Sequence, residues 1–127
     1  MSLEGKRVLL VEDDALLLMS LEDMMSEFGC AIVGIAMALD AAVQLARDAD
    51  IDLGVLDVNL AGELVTPAAQ LLVQRGVPLV FATGYDAHIV PTLADRPRVS
   101  KPYTRQQLKD AMLKALSPGG SVGQPSP

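Results

Sequence analysis

The sequence predicts a doubly wound α/β domain built on a five-stranded parallel sheet, and three observations carry that prediction. The first is the run Leu53-Gly54-Val55-Leu56, apolar or small throughout and followed by Asp57, which reads as a strand buried on both faces. The second is Arg7-Val8-Leu9-Leu10-Val11, another apolar run, which ends in Glu12, Asp13 and Asp14. The third is the alternation of such runs with stretches whose apolar residues recur at helical spacing, the pattern of repeated strand–helix–strand units.

Residues 6–12 form the first strand. Asp14 caps a helix over about 15–28, in which Leu17, Leu18, Leu21, Met24, Met25 and Phe28 share one face. The methionines of this helix read as core, and Gly29 ends it in the left-handed conformation that glycine adopts freely. A second strand, Ala31 to Ile35, leads to a helix over about 39–48 with Leu39, Ala42, Val43 and Ala46 on one side. The central strand follows, then a loop through Gly62, and a third helix with Thr66 as N-cap, Pro67 as first residue and Gly76 as stop. Strand four runs from Val77 to Thr83. The segment Tyr85 to Arg96, interrupted by Pro91 and closed by Pro97, supports at most a short or irregular fourth helix. Strand five, Arg98 to Ser100, precedes Lys101-Pro102, and Thr104 with Gln107 makes a capping box for the last helix, whose Leu108, Ala111, Met112 and Ala115 face inward. Residues 1–117 make up the folded unit, and 118–127, rich in Pro, Gly and Ser, read as a disordered tail.

Composition narrows the function. One cysteine, Cys30, excludes an internal disulfide and reads as a small buried residue at a strand start. With one Cys and one His there is no nitrogen–sulfur metal site, so any metal is a hard cation held by oxygen. A net charge of −6 argues against nucleic-acid binding, and no apolar run is long enough to span a membrane or serve as a signal peptide, which places the chain in the cytoplasm. The charge is uneven: 14 acidic and 4 basic residues through Ala94, against 2 acidic and 6 basic from Asp95 onward, so the last third suits a partner surface.

In a parallel sheet of this kind the carboxyl ends of strands one, three, four and five bring Glu12 and Asp13, Asp57, Thr83 and Lys101 to one rim, where such sheets place their ligands. Converging carboxylates repel by roughly 3 kcal/mol per pair at about 5 Å and an effective dielectric near 20, a cost that a cation among them relieves. Carboxylates suit Mg²⁺, Lys101 supplies fixed positive charge and Thr83 a hydroxyl donor, together a place for a phosphoryl group. An Asp carboxylate can itself be the nucleophile, which points to metal-assisted phosphorylation of Asp57.

Val11-Glu12-Asp13, Leu56-Asp57-Val58-Asn59, Thr83-Gly84 and Lys101-Pro102 resemble, in that order, the motifs of the receiver domain of two-component response regulators, over residues 6–117. The resemblance implies a flavodoxin-like or receiver-like fold with strand order 2-1-3-4-5 and Asp57 as phosphoacceptor. It further implies Mg²⁺ held by Asp13, by Glu12 through water, by Asp57 and by the backbone carbonyl of Asn59. Thr83 and Lys101 would contact the phosphoryl oxygens, and the Lys101-Pro102 peptide would be cis. Phe81-Ala82-Thr83-Gly84-Tyr85 resembles more narrowly the FAT GUY receivers, a stand-alone subgroup often linked to HWE-type histidine kinases. The partner implied is a sensor histidine kinase or a histidine phosphotransfer protein, with signalling by protein–protein contact or service as a phosphate sink. The only chemistry catalysed would be the protein's own phosphorylation and dephosphorylation.

Two departures from the family stand out: Ala61 replaces a common Pro, and Arg98 occupies the place of the usual aromatic switch residue. A charged guanidinium does not rotate into an apolar slot, so the switch is assigned to Thr83 as sensor and Tyr85 as hinge, with 84–97 becoming ordered on phosphorylation. His88 reads as an ordinary exposed residue. A haloacid-dehalogenase-like phosphatase also uses a strand-end Asp, but needs an acid two residues on, where Asn59 has no proton to give. An unphosphorylated pseudo-receiver scaffold is the other rival, and it has no need of mutually repelling carboxylates.

Overall fold

The computed structural model describes residues 2–84, 89 and 91–117. Five strands form one parallel sheet: β1 (Arg7–Val11), β2 (Ala31–Ala36), β3 (Leu53–Asp57), β6 (Leu79–Thr83) and β7 (Arg98–Ser100), in the order β2-β1-β3-β6-β7. This is the predicted 2-1-3-4-5 order, since β4 (Asn59–Leu60) and β5 (Glu63–Leu64) form a separate small antiparallel hairpin that the sequence reading treated as loop. Four α-helices join the strands: α1 (Ala15–Phe28), α2 (Leu39–Asp48), α3 (Thr66–Gln74) and α4 (Arg105–Leu116). Of the expected short fourth helix, the described part is a 3-10 turn at Pro91–Leu93. Tyr85 and the hinge assigned to it lie outside the described residues, as do His88 and the tail 118–127.

Alternation along the strands splits the interior into two aliphatic cores. Val8, Leu10, Leu53, Val55, Val80 and Ala82 pack against α1 and α4, whereas Leu9, Val11, Leu56, Leu79 and Phe81 pack against α2 and α3. β3 is buried at all five positions, as a central parallel strand must be. Gly54 faces α3 at close range: a Cβ there would stand 2.8 Å from Leu56 Cδ1 and 2.9 Å from Leu72 Cδ1, both in the packed core. Gly54→Ala is therefore expected to lower stability by about 1–3 kcal/mol, measured by urea unfolding.

The caps follow the sequence with one exception. Asp14 accepts from the N–H groups of Leu16 and Leu17, Gly29 closes α1 at φ 79°, and Thr104 with Gln107 forms the complete capping box of α4. Thr66, however, is already helical. Val65 is the N-cap, because its N–H is bound to Val58 O (2.9 Å) while its carbonyl accepts from Ala68 and Ala69, starting the helix one residue early. Met24 and Met25 are core, but Met19, on the far side of α1, is 61% exposed, contrary to the expectation for all three. Cys30 is only half-buried, its thiol donating to Leu3 O at 3.4 Å.

Arg7 fastens β1 to the turn before β3. Its backbone N–H and Nε donate to Asp52 Oδ2 (2.8 and 3.1 Å) and Nη2 donates to Oδ1 (3.1 Å), and this grip holds the Asp52 carboxyl at about 2. A carboxyl pKa depressed in the folded state contributes stability that is fully present above the unfolded value of about 3.9 and is lost as pH falls through the folded value. Asp52→Asn is expected to lose a modest stabilisation at neutral pH, modest because the pair is open to solvent, and to flatten the acid limb below about pH 4 by that same amount. Thermal melts across pH 2–7 check this.

Candidate functional site

The parallel strands deliver their carboxyl ends to one rim. Glu12, following β1, and Asp57, ending β3, are buried, Asp13 is half-buried, and one carboxylate oxygen from each of the three lies within 4.8 Å of the others. Lys101, the residue after β7, reaches into this cluster. Its Nζ donates to Asp57 Oδ2 at 3.0 Å and lies 3.0 Å from Glu12 Oε1. The second contact is equally short, and no other group among the described residues donates to the buried Glu12 Oε1. The backbone holds Lys101 in place, its N–H donating to Thr83 O (2.8 Å), and the Lys101-Pro102 peptide is cis.

The charges are finely opposed. Burial, the largest influence, pushes the Glu12 carboxyl above its ordinary range, and Asp57 adds to the rise against the pull of Lys101 and the Asp14 N–H. Burial by itself would lower the Lys101 ammonium, but the bond to Asp57 and the nearness of Glu12 outweigh it, so its pKa is raised. Tyr103, half-buried beside the cluster, is pushed up to about 12 by burial and by the negative Glu12. One ammonium thus serves a cluster of three carboxylates. That donor set, all oxygen, fits a hard divalent cation.

The hairpin β4–β5 borders the cluster on the other side. Asn59 N–H donates to Asp57 Oδ1 (3.3 Å) and Ala61 N–H to Asp13 Oδ2 (2.9 Å), while Asn59 Oδ1 accepts from Gly62 N (2.7 Å). The Asn59 side chain therefore clamps a turn. Because Val65 N–H bonds Val58 O, the alternation of an antiparallel ladder makes Asn59–Leu64 the non-hydrogen-bonded pair, whose Asn59 N–H and C=O face out of the hairpin. The sequence pointed to Glu12, Asp13, Asp57, Asn59 and Lys101, and the structure brings all five together.

Thr83 ends β6 at the same rim but its hydroxyl turns away, donating to Val99 O on β7 at 3.3 Å. Arg98 is exposed, with Nη2 donating to Ala94 O at 2.9 Å. The amide of Ala61 escaped the sequence reading altogether. Its signal was Gly62, whose φ of 94° follows Ala61 at 52°, the two left-handed residues of a tight hairpin.

No family model matches the chain. Among solved structures it is similar to SdrG from Sphingomonas melonis Fr1, at 37% identity and TM-score 0.78, covering 91% of this chain and 98% of that one. A BeF3-activated conformation of SdrG aligns at 35% identity and TM-score 0.74 over 90% of this chain and 98% of that one. The receiver domain of the PhyR response regulator from Erythrobacter litoralis aligns at 28% identity and TM-score 0.76, covering 98% and 95%. Among curated proteins, the transcriptional regulatory protein PdtaR from Mycobacterium tuberculosis is 32% identical over 120 residues, 88% of this chain, and the chain spans 57% of its length. These relatives are receiver domains and regulators rather than classical enzymes. The fold, the order of its strands and the acidic rim coincide with a likeness of 37% along nearly the whole of a solved relative, and the chain belongs to the family of response regulator receiver domains.

Proposed function

We propose that this chain is a phosphoryl-accepting receiver in which Asp57 takes a phosphoryl group from a phosphohistidine donor in a Mg²⁺-dependent reaction. The observation that carries the reading is the buried Asp57 carboxylate set between Lys101 and two further acids at the open end of the sheet. In the transfer, an Asp57 oxygen forms the new P–O bond as the donor's P–N bond breaks, and the imidazole nitrogen keeps the electron pair. Lys101, already on Asp57 Oδ2, stays beside the phosphoryl oxygens and offsets their charge. Thr83 becomes a donor to the phosphoryl group by giving up its bond to Val99 O, which couples the acceptor site to β7. Asn59 N–H remains a donor on the opposite side.

Glu12, Asp13, Asp57 and the Asn59 carbonyl would hold Mg²⁺, which supplies, when bound, compensation for the negative charge gathered at the phosphoryl group. The donor is a sensor histidine kinase, of the HWE type by the likeness of Phe81–Gly84, or a histidine phosphotransfer protein. The BeF3-activated conformation of SdrG supports a phosphoryl-driven change, since that fluoride mimics a phosphoryl group. Among the described residues no helix is long and apolar enough to cross a membrane. The test is incubation with acetyl phosphate or phosphorylated kinases, with and without Mg²⁺, followed by intact-mass analysis. One hydroxylamine-labile phosphoryl group per chain is expected, and its absence with every donor would refute the reading.

A further inference from the structure

The turn of the β4–β5 hairpin takes no part in the proposed transfer, yet it is bonded to the acid that would hold the metal. Ala61 N–H donates to Asp13 Oδ2 at 2.9 Å across 48 positions of sequence, while Asp13 Oδ1 takes no hydrogen bond among the described residues. Ala61 makes that bond from the first position of the hairpin turn, at φ 52°, a left-handed conformation that a residue with a Cβ disfavours. Three neighbours hold it there. Leu60 is buried in the core under α2 and α3, Gly62 is clamped by Asn59 Oδ1 at 2.7 Å, and Asp13 closes the third side. A strained backbone persists where its surroundings fix it, and here the result is a charge-assisted bond to one oxygen of a carboxylate.

We infer that the Ala61 amide is the positioning group of Asp13: it fixes the carboxylate through Oδ2 and leaves the other oxygen free for a divalent cation. The hairpin 59–64 and cation binding are then one coupled equilibrium. This rests on the metal-binding reading above and adds a residue to it. Asn59 N–H on Asp57 Oδ1 belongs to the same hairpin, so two of the three acids are oriented by one small element. By reciprocity, what the turn contributes to cation affinity, the cation returns to the turn.

Backbone amide NMR of the full chain, titrated with MgCl₂, tests the coupling directly. The Ala61 amide is expected to exchange with solvent at least about tenfold faster in Asp13→Ala than in the wild type, the loss of one charge-assisted bond, and to become more protected in the wild type at saturating Mg²⁺. Ala61→Gly keeps the N–H and tolerates the backbone angle, so its residue-61 amide should still gain protection at saturating Mg²⁺, and failure to do so would overturn the inference. Ala61→Pro restores the residue common in the family but has no N–H and cannot reach φ 52°; in this chain it should lose Mg²⁺ affinity by about tenfold or more, and unchanged affinity in the folded variant would overturn the inference. If Ala61→Pro fails to fold, the wild-type and Asp13→Ala exchange rates decide alone. Mg²⁺-dependent shifts at Glu12, Asp13 and Asp57 without any response of the Ala61 amide would overturn this inference and leave the metal site standing. Absence of all such shifts in the wild type would overturn both.

Discussion

Asp57→Asn is expected to take up no phosphoryl group from acetyl phosphate or from any phosphorylated kinase, and to melt at or a few degrees above the wild-type temperature. The first half follows from chemistry. An amide oxygen is a poor nucleophile, and the carboxylate set between Lys101 Nζ and the Asn59 N–H is gone. The second half follows from electrostatics. Asn keeps an oxygen that can accept from Lys101 or from Asn59 N–H, and Lys101 keeps its charge contact with Glu12. What disappears is one of three mutually repelling carboxylates. Relief of about 1 kcal/mol raises the melting temperature by roughly 3–5 °C in a chain of this size. Intact-mass analysis and calorimetry on the same sample check both halves. Stoichiometric labelling of the variant would remove Asp57 as acceptor, and a large drop in melting temperature would show that its charge is needed for folding.

Lys101→Met is expected to move stability the other way. The methionine fills a similar volume but leaves Glu12, only 1% exposed, and Asp57 facing each other without a cation. Stripping one partner from a fully buried ion pair costs about 3–5 kcal/mol; at a rim where the Lys101 side chain is 20% exposed, about 2–3 kcal/mol is expected, a fall of roughly 6–12 °C. The phosphorylation rate should drop by about 10²-fold, the usual cost of removing one donor to developing charge. The discriminating measurement is the response to Mg²⁺. A divalent cation replaces the missing charge, so it should raise the melting temperature of the variant more than that of the wild type. An equal response in both proteins would separate Lys101 from the cation site.

The sheet was legible because its signals are local. Leu53 to Leu56 could be nothing but a buried strand, Asp14 and Gly29 bracket α1, and Thr104 with Gln107 announces α4. The rim followed from topology: once parallel strands end at Val11, Asp57, Thr83 and Ser100, the acids and Lys101 have nowhere else to go. What stayed hidden depends on single torsions or long separations. The strands β4 and β5 have two residues each, too short for any periodicity, and Ala-Gly is a weaker turn signal than Asn-Gly. The direction of the Thr83 hydroxyl is one side-chain rotation, for which the sequence carries no mark. Thr66 had the right type for an N-cap, but Val65 was already fixed by Val58 across the hairpin, an influence invisible without the hairpin itself. The grip of Arg7 on Asp52 joins residues 45 apart, each of which reads singly as an ordinary surface charge.

The strand order has a consequence for synthesis. After β1, each strand of the order β2-β1-β3-β6-β7 joins the outside of those already made: β2 on one flank, then β3, β6 and β7 successively on the other. No strand has to be inserted between two that are already paired, so the sheet can grow in the order in which the ribosome releases it. At roughly 5–20 residues per second, ~1–5 s separate the completion of β3 at Asp57 from that of β6 at Thr83. During that interval the free margin of the nascent sheet is β3, buried at every position in the finished fold, and it is sheltered only when Leu79 to Thr83 arrives. A translational pause just after β3, or after β6 before Arg98 to Ser100 arrives, would therefore leave a largely apolar margin open to association.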